Sequence, residues 1–151
     1  MPTQRLKNST SQSPNIFRDI ERILTTHKVR ELHYEYANDD SGRVVALVFA
    51  LDVEGRRLSF RMPARIEQVH AALYGTTHFL SPAKSQQAYR TAWANIRDWI
   101  DAQMAMIDIR LVKTQEVFLP YLLDATGEHT FYERLEQQQF QSRLLEAPTG
   151  Q

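Results

Sequence analysis

Apolar positions along the chain recur first with the spacing of a helix and then with the alternation of strands. Ser13-Pro14 is typical of a helix start, and the apolar stripe after it predicts about three helical turns, formed by Ile16, Phe17, Ile20, Ile23 and Leu24. Three alternating segments then predict strands at about 29–36, 44–53 and 57–62. The middle strand is apolar on both faces, as in the centre of a sheet, and Glu54-Gly55 predicts a tight hairpin after it.

The alternation divides the strand side chains between two faces of the sheet. The core face is expected to carry the larger apolar residues, Leu32, Tyr34 and Tyr36, then Leu47, Phe49 and Leu51, then Leu58, Phe60 and Met62. The opposite face combines polar outer strands with small central residues: Glu31, His33 and Glu35, then Ala46, Val48 and Ala50, then Arg57, Ser59 and Arg61. Three strands cannot bury both faces, so helices are expected to cover at least one.

Helical spacing returns after the third strand, which is expected to end at Pro63. A short helix is predicted around residues 66–73, and a loop at 75–80. Ser81-Pro82 repeats the serine-proline start and opens the longest element, about 83–110, whose broad apolar face contains Tyr89, Ala92, Trp93, Ile96, Trp99, Ile100, Met104 and Ile107. Thr114 is expected to cap a further short helix, and Thr130 with Glu133 predicts a capping box that opens a last helix to about residue 145.

This order predicts an α+β fold with an N-terminal helix, a three-stranded antiparallel sheet, a long amphipathic helix packed on it and a helical C-terminal extension. Residues 13–146 are expected to form one domain. The polar stretches 1–12 and 147–151 are expected to be disordered tails.

Composition narrows the function classes. The 151 residues include no cysteine, which excludes disulfides, thiolate nucleophiles and cysteine-bound zinc. No apolar run approaches the ~20 residues of a membrane helix, so a cytoplasmic protein without a membrane partner is expected. The 18 basic and 18 acidic residues balance, unlike in a strongly basic nucleic-acid-binding domain. Residues 41–65, however, hold five arginines against two acidic residues.

Signals for catalysis are sparse. Glu67 and His70 have the spacing of one half of a di-iron site, but the second half is missing. Asp52 and Glu54 flank the hairpin without the further ligands that a nuclease needs. The other histidines, such as His33, lack a readable nucleophile or orienting carboxylate. A non-catalytic protein without cofactor or metal is therefore expected.

The arginines of the third strand are the main candidate for binding. Arg57 and Arg61 flank a floor of small residues and can grip phosphates bidentately. Two alternatives remain open, since the arginines can instead pair with Glu31 or Glu35 across the sheet, and a helix can cover this face. The full set of candidate nucleic-acid-binding residues is Arg43, Arg56, Arg57, Arg61, Arg65, Lys84 and Arg90.

The long helix offers a second candidate surface. It would span ~40 Å, whereas a typical strand covers ~20 Å, so part of its apolar face extends beyond the sheet. This overhang, around Trp99, Met104 and Ile107, needs the C-terminal helices or a second subunit to cover it.

Four stretches carry a resemblance to a known group of proteins: DIERIL, VEGRRLSFRMP, AYRTAWANIRDWIDAQMAMI and EVFLPYLLDATGEHTFYERL. They resemble an uncharacterised family of small proteins carried by bacterial phages, prophages and other mobile elements, and the resemblance covers about residues 16–140. The chain departs from that pattern where Ala92 and Ala94, rather than arginines, flank Trp93. The resemblance implies either the handling of nucleic acid or the binding of a host protein.

Two functions follow as predictions. The first is a non-catalytic nucleic-acid-binding accessory protein of a phage or mobile element, which contacts the phosphates of DNA or RNA through the arginine-bearing strand. The alternative is a protein-interaction module, either a homo-oligomer or an inhibitor of a host or defence factor, such as an anti-CRISPR-type protein.

Overall fold

The computed structural model describes residues 15–141 and 145–148, which form five α-helices and a three-stranded antiparallel sheet. The α+β fold predicted from the sequence is therefore confirmed. In chain order the elements are α1 Ile16–Thr26, β1 Glu31–Tyr36, β2 Val44–Val53, β3 Arg56–Pro63, α2 Ile66–Tyr74, α3 Pro82–Asp108, α4 Thr114–Phe118, a 3-10 turn Leu119–Tyr121 and α5 Phe131–Gln137. None of the helices in these described ranges has the length and apolar content needed to cross a membrane. The predicted tail 1–12 lies outside the described residues.

The sheet has the order β1-β2-β3, which confirms β2 as the central strand. Glu54 and Gly55 both have positive φ angles, 51° and 79°, as a two-residue hairpin of type I′ requires. The outer edge of β3 is extended by the C-terminal segment, where the N–H of Leu123 donates to the Ser59 carbonyl at 2.8 Å.

The core lies between the sheet and two helices that run side by side, α1 and α3. Trp93 of α3 is fully buried, and its Nε1 donates to the Val44 carbonyl at 3.1 Å. The Phe17 ring of α1 packs edge-on against the Trp93 indole, with 4.9 Å between ring centroids. Phe49 and Phe60 add a stacked pair from the sheet, at 5.5 Å. The large side chains predicted for the core face are thus the ones that the helices cover.

One predicted core residue is wrong. Tyr36 was expected beside Leu32 and Tyr34, but its side chain is 60% exposed. The pairing of β1 with β2 shifts register between Glu35 and Tyr36, and such an irregularity turns the following side chain out of the pleat.

The helix starts agree only partly with prediction. Ser81 caps α3 by accepting from the Lys84 N–H at 3.2 Å, and Thr130 and Glu133 form the predicted reciprocal capping box. Thr114, however, is the first residue of α4 rather than its cap. The last helix ends at Gln137 instead of near residue 145, because positive φ angles at residues 139 and 140 turn the chain away. The predicted Ser13-Pro14 start lies outside the described residues, and Asn15 precedes α1 as its N-cap.

Candidate binding surfaces

The sheet face opposite α1 and α3 carries Arg57 and Arg61, and the charges of both are paired. Arg57 of β3 donates through Nη1 to the Glu31 carboxylate of β1, and its Nε lies 3.3 Å from Oδ1 of Asp52 on β2. Arg30 Nε lies 3.3 Å from the other Asp52 oxygen. Side chains of the two outer strands therefore meet above the small residues of β2.

Arg61 repeats the arrangement further along β3. Its Nε lies 2.9 Å from Oε2 of Glu35, and its side chain is 25% exposed. Cross-strand pairing, one of the alternatives that the sequence left open, is thus what the structure contains. A phosphate that approached Arg57 or Arg61 would have to displace carboxylates that already accept from these guanidinium groups.

A groove of about 690 Å³ follows this face, between β1 and the turn at residues 124–127. Its borders include Arg56 and Arg57. Arg56 is exposed at the hairpin, and no ion pair of its side chain occurs with the described residues. Arg56 is therefore an exposed cation without an ion pair at the hairpin end of this groove.

Three other predicted residues lie at the opposite end of the sheet. Arg43 Nη2 donates to Ser85 Oγ at 2.6 Å, and its guanidinium stacks 5.4 Å from the Phe79 ring centroid. Lys84 Nζ lies 5.2 Å from the Tyr74 ring, and Arg90 donates to Gln87 Oε1 at 2.8 Å. The ten residues of β2 separate Arg43 from the hairpin, a length of about 33 Å. The structure therefore does not bring the seven candidates together.

An apolar groove of about 340 Å³ lies between α2 and α3. Its walls include Val69 and Ala72 of α2, and Ile96 and Trp99 of α3. The Trp99 indole is held edge-on by Tyr121, with 5.9 Å between ring centroids. We call this surface the α2–α3 groove. It presents apolar side chains from two helices to an approaching molecule.

A second, polar cavity of about 530 Å³ lies next to the α2–α3 groove. The two share Pro63, Arg65 and Tyr121, so they lie side by side. The far wall of the polar cavity comes from α5, and includes Glu133 and Glu136. A ligand that occupied both cavities would contact apolar side chains at one end, an arginine in the middle and carboxylates at the other end.

Arg65 has an unusual backbone conformation at the junction of these cavities. Its φ and ψ angles are 56° and 49°, in the left-handed region that is costly for side chains other than glycine. Its carbonyl begins α2 by accepting from the Val69 N–H at 3.0 Å. Its side chain is exposed. Among the described residues no ion pair to Arg65 occurs.

The predicted overhang of the long helix is largely covered. Met104 is 2% exposed and belongs to the core. Trp99 is half-buried against Phe118, with 5.6 Å between ring centroids, and Ile107 is also half-buried. The chain between α3 and α5 thus covers part of Trp99, as the predicted C-terminal helices were expected to do. The exposed part of Trp99 lines the α2–α3 groove.

The described residues contain no group of three or more metal-ligating side chains. His70 of the Glu67-x-x-His70 spacing is fully buried, its Nδ1 lies 2.6 Å from the Thr76 carbonyl and its Nε2 accepts from the Leu80 N–H at 3.4 Å. Both ring nitrogens are therefore occupied, and His70 fixes the loop before α3.

Two other hydrogen bonds tie α1 to its neighbours. Tyr34 donates to Glu21 at 2.7 Å, and burial together with this carboxylate raises the pKa of the Tyr34 phenol. His27 lies 2.6 Å from the Ile23 carbonyl and 2.8 Å from Asp108 Oδ2. Burial lowers the pKa of His27, but these two acceptors outweigh it, and the net pKa is raised above 6.5.

Comparison of the chain with protein-family models, with curated proteins and with solved structures finds no match. The resemblance to mobile-element proteins therefore stays a prediction. Sequence reasoning missed the α2–α3 groove, because its walls come from segments about 30 residues apart and no single motif marks them.

Proposed function

We propose that this protein is a non-catalytic protein-interaction module that binds a segment of another protein in the α2–α3 groove. The observation that carries the proposal is the half-buried apolar wall of the groove, formed by Ile96, Trp99 and Val69. The arginines on the polar face of the sheet, in contrast, are already paired with carboxylates. Apolar grooves between helices are a common way to hold a partner's side chains.

The polar cavity next to the groove favours a polypeptide over a nucleic acid. Glu133 and Glu136 line the polar cavity beside Arg65, and their carboxylates would repel a phosphate backbone. A polypeptide, in contrast, carries apolar, acidic and basic side chains, and can satisfy each part of the two cavities.

The test is a selection of random linear peptides displayed on phage particles against the full chain. Ala72 lines the groove, so Ala72→Trp should fill it and abolish the binding of selected peptides. Ala83→Trp is the matched control, because Ala83 is exposed near the start of α3 and does not line the groove. The proposal fails if no peptide is enriched, or if every enriched peptide binds Ala72→Trp as well as the unsubstituted protein.

Nucleic-acid binding is the second candidate function, supported by the position of Arg56 and Arg57 on the 690 Å³ groove. Fluorescence anisotropy with single-stranded DNA, duplex DNA and duplex RNA at ~50 and ~200 mM salt tests it, since counterion release predicts salt-sensitive binding. Arg57→Ala with Arg61→Ala should then weaken binding and flatten its salt dependence. If the double variant binds nucleic acid with unchanged affinity, Arg57 and Arg61 do not contact it.

A further inference from the structure

The residues that line the two neighbouring cavities are apolar at one end, basic in the middle and acidic at the other end. Trp99 and Ile96 form the apolar end, Arg65 stands at the junction, and Glu136 lies on the far wall. Tyr121 lines both parts, so the two cavities are neighbours. A ligand bound in both cavities must therefore present different groups at three successive places.

Arg65 is suited to hold a carboxylate at the junction. Its guanidinium has five donors in a planar fork that matches a carboxylate. Arg61 and Glu35 already form a pair nearby, whereas Arg65 has no such pair among the described residues. A carboxylate that pairs with Arg65 would therefore come from a bound ligand.

The backbone of Arg65 supports this assignment. A left-handed position before a helix is most easily occupied by glycine, since any Cβ there is strained. The presence of an arginine at this strained position is explained if its guanidinium group binds a ligand. Arg65 also lines both cavities, so its guanidinium is available where they meet.

We infer that the α2–α3 groove selects an internal segment of a partner protein in which an acidic residue lies between an apolar anchor and a basic residue. The anchor packs on Trp99 and Ile96, the acidic side chain pairs with Arg65, and the basic side chain faces Glu136. This inference rests on the proposed function and adds the chemistry of the partner to it.

The peptides selected in the experiment above provide the test. Those that lose binding to Ala72→Trp are synthesised, and their affinities for the unsubstituted protein and for Arg65→Glu are measured. We expect Arg65→Glu to weaken them at least about tenfold, the effect of losing one charge-assisted pair. The same peptides with their acidic residue replaced by lysine should bind Arg65→Glu more tightly than they bind the unsubstituted protein.

The outcomes separate this inference from the proposed function. If the peptides depend on the groove but bind Arg65→Glu unchanged, or if lysine replacement restores nothing, the inference is overturned while the proposed function stands. Amidation of the peptide C-terminus should leave affinity unchanged. A strict need for a free C-terminal carboxylate would overturn the internal segment. Circular dichroism of Arg65→Glu and of the conservative Arg65→Lys confirms that the fold is intact.

Discussion

The guanidinium group of Arg57 on β3 reaches over the central strand and donates to the carboxylate of Glu31 on β1. Both residues are partly exposed, with side-chain exposures of 45% and 63%. An exposed pair of this kind contributes about 0–1 kcal/mol to stability. Its larger consequence is electrostatic, because the two outer strands cancel each other's charge on this face of the sheet.

This pairing predicts that carboxylates, rather than a shortage of arginines, limit nucleic-acid binding on the sheet face. Glu31→Gln combined with Glu35→Gln should free Arg57 and Arg61 and increase affinity for duplex DNA at ~50 mM salt. Each new phosphate contact should steepen the dependence of log K on log salt by about 0.9. Fluorescence anisotropy over a salt series measures both quantities.

The matched control is Glu21→Gln with Glu116→Gln, which removes two exposed carboxylates that do not pair with these arginines. If the control raises DNA affinity as much as the sheet-face variant does, net charge alone explains the gain. In that case the pairing of Arg57 with Glu31 does not mask a binding surface.

Trp93 should be the more important of the two tryptophans for stability. Trp93→Phe removes the donor to the Val44 carbonyl and leaves a void in a fully buried site, so we expect a loss of about 2–4 kcal/mol in the free energy of unfolding. Trp99→Phe, at a half-buried site, should cost less. Urea unfolding followed by circular dichroism compares the two variants. Equal losses would contradict the central position of Trp93.

Much of the sheet was predictable because strand alternation and turn chemistry are local. The bounds of β2, the Glu54-Gly55 hairpin and the two faces of the sheet follow from the sequence within a few residues of each position. The cap at Ser81 was predictable for the same reason, since a serine before proline satisfies the first helical N–H groups without help from distant residues.

The misses have nonlocal or context-dependent causes. Tyr36 is exposed because of a register shift that depends on the partner strand. Thr114 does not cap α4, because Glu116 binds the Lys113 N–H and makes Lys113 the N-cap, so the helix starts one residue earlier than a cap at Thr114 would place it. The pairing of Arg57 with Glu31 depends on the conformations of long side chains across three strands. Sequence reasoning could state that alternative but not choose it.

The candidate groove was even less accessible to sequence reasoning. The sequence predicts Trp99 on the apolar face of the long helix. Its contact with Tyr121 could not be predicted, because the two residues are 22 positions apart in the sequence. Arg65 was predicted only as a phosphate contact, and nothing in the sequence indicated its left-handed conformation, because such a position is normally marked by glycine.

The contact between His27 and Asp108 should make stability depend on pH. Because the folded-state pKa of His27 is raised, protonated His27 contributes stability that is complete below about pH 6.5, the unfolded-state value, and is lost as the pH rises through the folded-state pKa. Asp108→Asn should therefore lower the free energy of unfolding more at about pH 5.5 than at about pH 8.5. Urea unfolding at the two pH values measures the difference.

Asp101→Asn is the control for that experiment. Asp101 acts on His27 only at longer range, without a hydrogen bond to it. Its substitution should therefore produce a smaller pH-dependent change than Asp108→Asn. A change of equal size would show that general acidity near His27, rather than the 2.8 Å contact, sets the pH dependence.

Replacement of Arg65 by glycine should separate stability from binding. Glycine adopts the left-handed conformation of this residue without strain, so Arg65→Gly should leave the free energy of unfolding unchanged or raise it by up to about 1 kcal/mol. The same substitution removes the guanidinium from the place where the cavities meet, and peptides that depend on the groove should bind more weakly. Thermal unfolding and peptide titration on one preparation measure both effects.

Arg56→Gly provides the comparison, because Arg56 is exposed in β3 without a positive φ angle. There glycine should destabilise the strand and leave peptide affinity unchanged. If Arg65→Gly instead destabilises the protein as Arg56→Gly does, then the left-handed conformation of Arg65 does not lower the stability of the folded protein. An arginine retained at a strained position, where glycine makes the fold at least as stable and binding weaker, is the pattern expected of a residue kept for recognition.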